Sequence, residues 1–264
     1  MSLHPHVRFL DAAGHRLETV WHGPPPEDGA PTLVFLHEGL GSVSAWRDFP
    51  AKLAEATGLG ALIYSRWGYG QSDPVEVPRP PSYMHDEGSV TLPAVLDAAG
   101  VRSAILVGHS DGGSIAIVHA ADPSSAPRLR ALILEAAHVF VEDISVASIV
   151  AAREQYVRGN LRARLSRHHS DVDGAFWGWN RAWLDREFRA WDLRPLLPHV
   201  TVPTLIVQGE DDPYGTLAQV DAIERGVGGL AERWTLPKCG HAPHREDEAA
   251  TLARMAAFVN EVTS

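Results

Sequence analysis

The chain has 264 residues, with 23 Lys and Arg against 33 Asp and Glu, a formal charge of −10 and a single cysteine. That length suits one large domain with a sizeable core. The acidic balance argues against a nucleic-acid binder, and the lone Cys239 excludes an intramolecular disulfide framework or a thiolate-only metal site.

In chain order, the first 22 residues alternate polar and apolar around 11–15 (DAAGH), which predicts an antiparallel hairpin at a sheet edge. The Pro24 to Pro26 run with Glu27, Asp28 and Gly29 reads as a surface loop. Buried strands are predicted at 32–37 (TLVFLH), 61–65 (ALIYS), 104–108 (AILVG), 131–135 (ALILE) and 204–209 (TLIVQG), with a weaker one at 233–236. Helical spacing fills 46–57, 82–99, 113–121, 217–225 and 246–262 between and after them. Alternation of strand and helix argues for a mostly parallel sheet with helices on both faces, an α/β class. One segment breaks the pattern: from Phe140 to Trp191 no strand is read, only helical stretches rich in Ala, Arg and Trp. This is far longer than an ordinary connection, and we expect a helical cap at 139–191 on a core made of 1–138 and 192–264. The apolar runs are much shorter than the roughly 20 residues of a membrane span. The opening MSLHPHVRFLD shows no charged region followed by an apolar one, so a cytoplasmic protein is expected, as monomer or homodimer.

The sequence LVGHSDGGS at 106–114 contains Gly-x-Ser-x-Gly, entered from an apolar strand and left by a helix. A sharp strand-to-helix turn of small residues would push Ser110 out of the backbone and aim a helix N-terminus at the reaction centre. The bland alternative is a Gly-rich corner with no chemistry. A serine hydroxyl is a poor nucleophile alone, so it needs a base and an orienting acid. His241, in KCGHAPH, follows the last weak strand; Asp212, in QGEDDPY, follows the 204–209 strand. Their chain order is Ser, Asp, His.

These motifs, with LHEGLGS at 36–42 and SRWGYGQSD at 65–73, resemble an α/β-hydrolase-fold serine hydrolase over essentially the whole chain. The resemblance implies an α/β-hydrolase fold with the cap inserted after the sixth strand. It places the acid three residues past Gly209, at Asp212 rather than Asp211, and the base at His241. Glu135 is a more distant rival for the acid, and Asp111 a rival nucleophile of dehalogenase or epoxide-hydrolase type. The oxyanion donors implied are the backbone N–H of Asp111 and one from the HEGLG loop, of Gly39 or Leu40, with Gly39 taken here. Relatives carry His-Gly where this chain has His37 and Glu38. Glu38 is either a salt-bridging loop residue or a contact to substrate or the catalytic His, and its side chain is expected to point away from a developing oxyanion.

The 14 histidines invite a metal reading, yet none of their spacings makes a ligand set: His168 and His169 do not share a helix face, and Pro243 separates His241 from His244. His109 is expected to pack or hydrogen-bond at the strand end, and His4 and His6 are terminal. No metal and no cofactor are expected. Trp177, Trp179, Trp183 and Trp191 place half of the 8 tryptophans in fifteen residues. They fill a core beneath the cap, line an apolar pocket above Ser110, or do both. The substrate-binding set expected is Leu40, His138, Phe140, Trp177, Trp179 and Trp183. The reading is an esterase for a small or medium carboxylic ester; carbon–carbon bond, lactone and thioester hydrolysis, or a non-catalytic small-molecule receptor, are the alternatives.

Overall fold

The computed structural model describes residues 8–26 and 30–264. His4, His6 and the 27–29 part of the expected surface loop lie outside the described residues. Eight strands form one sheet: β1 (Arg8–Ala12), β2 (His15–His22), β3 (Thr32–Leu36), β4 (Ala61–Tyr64), β5 (Ala104–His109), β6 (Leu129–Glu135), β7 (Thr204–Gly209) and β8 (Ala231–Leu236). Their order is β1-β2-β4-β3-β5-β6-β7-β8. The β1–β2 hairpin turns at Ala13 and Gly14, both with positive φ, and β2 runs antiparallel to β4; all other pairs are parallel.

The inner parallel strands β3, β4, β5 and β7 are buried on both faces, as their apolar runs require, β6 exposes only Arg130, and the edge strand β8 is mostly half-buried. Period-two alternation splits them between two cores. Val34, Leu36, Leu106, Leu132 and Leu134 join one, and Leu33, Phe35, Val107, Ile133 and Leu205 the other. Helices α1 (Phe49–Thr57), α2 (Tyr83–Asp86), α3 (Leu92–Ala98) and α4 (Asp111–Ala120) follow β3, β4 and β5. Between β6 and β7 lie α5 (Asp143–Arg158), α6 (Leu161–Leu165) and α7 (Val172–Trp183), then two 3₁₀ turns. The remaining helices are α8 (Leu217–Gly226), α9 (Pro243–Glu246) and α10 (Glu248–Thr263).

Three expected helices are interrupted. The 46–57 helix begins only at Phe49, because Arg47 sits at φ 55° after a 3₁₀ turn, Val43–Trp46. A π turn, Glu87–Thr91, divides the 82–99 stretch; Gly88 lies so close to the Ile115 carbonyl that a Cβ would approach it to 2.8 Å. The last helix splits at Asp247, whose side chain caps α10 on Ala250 N–H. The excursion between β6 and β7 is pinched at its base, where Phe140 and Asp192 form an antiparallel bridge and Leu193 N–H donates to Val139 O at 2.7 Å. No helix among the described residues is long and apolar enough to cross a membrane.

Candidate active site

The site forms at the carboxyl ends of the parallel strands, where α/β sheets collect their ligands. β5 ends at His109, and α4 starts at Asp111, so Ser110 alone makes the turn, at φ 53° and ψ −118°. That conformation is costly for a residue with a Cβ and is held by its surroundings. The turn closes only because its neighbours are glycines. A Cβ on Gly108 would meet the Gly112 carbonyl, one on Gly112 would meet Leu36 O, and one on Gly113 would come within 2.6 Å of Ala137. Ser110 N–H donates to Glu135 O at 2.8 Å, tying the turn to β6. The side chain of Ser110 faces a cavity of about 200 Å³ that His241 also lines.

His241 Nδ1 lies 2.9 and 2.8 Å from the two oxygens of Asp212. The Asp212 carboxylate is further bonded by Gln208 Nε2 at 2.7 Å and Tyr214 N–H at 2.8 Å. Burial pushes this carboxyl up, but the His241 hydrogen bond and charge, with the Tyr214 N–H, outweigh it and hold the group below its usual range. Asp211 is exposed and donates its N–H to Cys239 O; it does not touch His241. With Nδ1 engaged, Nε2 is the nitrogen left for a proton from Ser110.

Asp111 is the first residue of α4, so its N–H has no carbonyl one turn earlier. Its carboxylate is turned away, accepting from Tyr83 Oη at 2.5 Å and Trp183 Nε1 at 3.2 Å, with Arg66 at 3.9 Å. A side chain so enclosed is no nucleophile. Gly39 lines the cavity and packs so tightly on the Trp179 indole that a Cβ there would overlap the ring. The HEGLG loop is braced from below: Arg66 donates to Glu38 O at 2.9 Å, and its N–H donates to His37 Nε2 at 3.0 Å. From above, His169 accepts Gly70 N–H at Nδ1, so its Nε2 donates to Leu40 O, both at 3.0 Å.

Behind His241 lies a buried ionic cluster that sequence reasoning missed. Glu135 accepts from both the N–H and Nδ1 of His244, at 2.8 and 2.9 Å. His109 Nε2 donates to His241 O at 2.7 Å, and its Nδ1 lies 3.5 Å from Glu38 Oε2. Burial lowers the His109 pKa, but the Glu135 charge and then Glu38 outweigh it and raise it to about 9; Glu38 is held well below its usual range in return. His109, Glu135 and His244 offer atoms within 4.8 Å of one another, close enough to share a metal ion. The expectation of no ligand set therefore meets a real cluster here. Its carboxylate, however, already spans His244, which makes it an ion-pair network through which His109 anchors the His241 backbone.

That network has a testable consequence. A histidine whose pKa rises from 6.5 unfolded to about 9 folded contributes stability that is full below pH 6.5 and is lost as pH climbs through 9. The contribution is on the order of 3 kcal/mol, or roughly 5–10 °C in Tm. Thermal melts from pH 6.5 to 10 are expected to fall by that margin more for the wild type than for His109→Gln. Parallel slopes for the two proteins would refute a charged His109.

Of the expected substrate-binding residues, Leu40, His138, Trp179 and Trp183 line the cavity; Phe140 and Trp177 do not. Trp179 and Trp183 share a face of α7 at i,i+4, whereas Trp177 lies on the opposite side against Tyr156, with Arg181 over its ring at 5.2 Å. Phe140 is committed to the bridge with Asp192 and carries Arg194 on its face at 4.9 Å. Trp191 packs on Trp183 and Phe188 instead of the cavity. Burial, and then the neighbouring His241, push the His138 pKa down to about 4, so His138 is a neutral wall. Sequence reasoning missed Tyr214, whose ring lies 4.7 Å from that of His241, and two pairs at i,i+4: Ser145 with Ile149 and Leu161 with Leu165.

Comparison with known proteins shows the family and the fold. The profile of the Alpha/beta hydrolase family matches residues 33–254. The chain belongs to that family. It is similar to a 2-succinyl-6-hydroxy-2,4-cyclohexadiene-1-carboxylate synthase of Enterobacter sp. (strain 638), 29% identical over 260 residues, covering 86% of this chain and 91% of the relative. A proline iminopeptidase of Lactobacillus helveticus is 24% identical over 80% of this chain and 83% of its own. Among solved structures, the enol-lactonase from Burkholderia xenovorans LB400 superposes with a TM-score of 0.73 at 20% identity, over 96% of this chain and 99% of that one. At that identity the likeness speaks for the fold alone.

Proposed function

We propose that this alpha/beta hydrolase is a serine hydrolase cleaving a small or medium carboxylic ester through an acyl-enzyme. One observation carries the reading: Ser110, strained on its turn, shares a cavity with His241, whose Nδ1 is held by the buried Asp212. Ser110 Oγ attacks the ester carbonyl and gives its proton to His241 Nε2. The tetrahedral oxyanion lies against the N–H groups of Asp111 and Gly39. Collapse breaks the bond to the alcohol oxygen, which leaves with the proton from His241. Water then adds to the acyl carbon, with His241 as base, releasing the acid and restoring Ser110. Residues 139–191 act as a helical cap, with Ser145, Ile149, Leu161, Leu165, Trp179 and Trp183 as its contribution to the pocket wall. A cavity of about 200 Å³ lies below the roughly 300–1,000 Å³ of drug-sized ligand sites, which favours a compact acyl group. The curated relatives and the solved structure have names that span imino-peptide, synthase and lactone chemistry, so assays, not likeness, choose the bond. A fluorophosphonate probe is expected to add one phosphonyl group to Ser110 and to no other serine, read by mass spectrometry of the tryptic peptides. An unlabelled Ser110 under conditions that inactivate a control serine esterase would sink the proposal.

A further inference from the structure

Beside the catalytic cavity lies a second recess of about 150 Å³, which shares Glu38, Leu40, Leu161 and Leu165 with it as common walls. Its outer rim is cationic. Arg47 reaches it from the turn before α1, Arg164 from α6 and Arg245 from α9, with His168 beside them. In a chain of net charge −10, many arginines have acidic partners: Arg79 with Glu87, Arg128 with Asp97, Arg162 with Asp173 and Arg194 with Asp192, for example. Arg47, Arg164 and Arg245 have none among the described residues. The nearby acids are committed elsewhere: Asp48 and Glu248 to Lys52, Glu246 to the N–H groups of Gly240 and Ala242, and Glu38 to His109. His168 is spent on Ser44 Oγ at 2.8 Å; burial pushes it down, the Glu38 charge opposes this, and Arg245, Arg167 and Arg47 add to the lowering. Arg47 also holds a positive φ of 55°, where glycine would be unstrained, so the chain keeps an arginine at a conformational cost.

Three guanidiniums without acidic partners among the described residues, from separate elements and lining one recess that shares walls with the Ser110 cavity, are a receptor for negative charge. We infer that the substrate is an ester or thioester with a remote anionic group, carboxylate or phosphate, seated among Arg47, Arg164 and Arg245 while its carbonyl reaches Ser110. The inference rests on the proposed hydrolase reading and adds the substrate class. Guanidiniums this exposed give each contact only modest strength, but acting together they select by charge and draw the ligand in.

Two matched pairs test it. Mono-p-nitrophenyl glutarate against p-nitrophenyl valerate isolates a carboxylate, and butyryl-coenzyme A against the butyryl thioester of N-acetylcysteamine isolates phosphates. In at least one pair the anionic member is expected to show a kcat/KM about tenfold higher at low salt. The pair that responds identifies the anion. That ratio is expected to fall toward one in 1 M NaCl, where charges are screened within about 3 Å, and in the Arg47→Gln/Arg164→Gln/Arg245→Gln protein. Ratios at or below one in both pairs overturn the inference, as does an advantage that survives the triple substitution. Failure to turn over all four substrates, with Ser110 unlabelled by the phosphonate probe, overturns the hydrolase reading beneath it instead.

Discussion

Ser110→Ala is expected to lower kcat on p-nitrophenyl butyrate by about 10⁴–10⁶-fold. Without Oγ no acyl-enzyme forms, and whatever rate remains comes from the N–H groups of Asp111 and Gly39 and from holding the ester beside His241. The substitution removes one atom and leaves the turn as it is: alanine at φ 53° bears the same strain as serine, and the backbone bond from residue 110 to Glu135 O is kept. The far-UV circular dichroism and Tm should therefore stay close to the wild type, which separates lost chemistry from lost structure. A folded variant that retains a tenth or more of the activity would remove Ser110 from the mechanism.

Asp212→Asn comes next in size, with an expected loss of about 10⁴-fold in kcat. Both Asp212 oxygens now accept: Gln208 Nε2 and Tyr214 N–H bind one each, and His241 Nδ1 lies within reach of both. An asparagine has one oxygen and one NH₂, so two donors would collide unless the imidazole moves its proton to Nε2. That tautomer cannot receive a proton from Ser110. Asp211→Asn is the control, because its side chain is exposed and away from His241; its activity should stay within about twofold of the wild type, as surface changes do. A large loss in Asp211→Asn with none in Asp212→Asn would reverse the two roles.

Much of this arrangement was legible from the chain alone, for identifiable reasons. The strands at 32–36, 61–64 and 104–108 are buried on both faces, so they stand out as unbroken apolar runs. The Gly108-x-Ser110-x-Gly112 turn is legible because its small residues are sterically compulsory. What sequence could not supply was phase and long-range pairing. Trp177 and Trp179 are equally aromatic, and only the start of α7, capped by Asp171 on Gly174 N–H at 2.9 Å, decides which one faces the cavity. Glu38 and His109 stand far apart in the chain and meet because the adjacent strands β3 and β5 deliver them to one end of the sheet, where α9 also brings His244 onto Glu135. Phe140 looked like a cavity wall by its place after β6, but backbone pairing with Asp192 turned it elsewhere. The arginines of the recess carry no motif; their meaning lies in the partners they lack.

The Asp111 carboxylate joins two parts of the molecule that could otherwise move independently. Its oxygens hold Trp183 of α7 and Tyr83 of α2, while its backbone begins the helix that follows Ser110. Lifting α7 would strip a donor from a buried anion, at a cost of about 1–3 kcal/mol, and would tug on the residue next to Ser110. The stretch after α6 is fastened too: His168 meets Ser44 Oγ at 2.8 Å, and His169 bridges Gly70 N–H and Leu40 O.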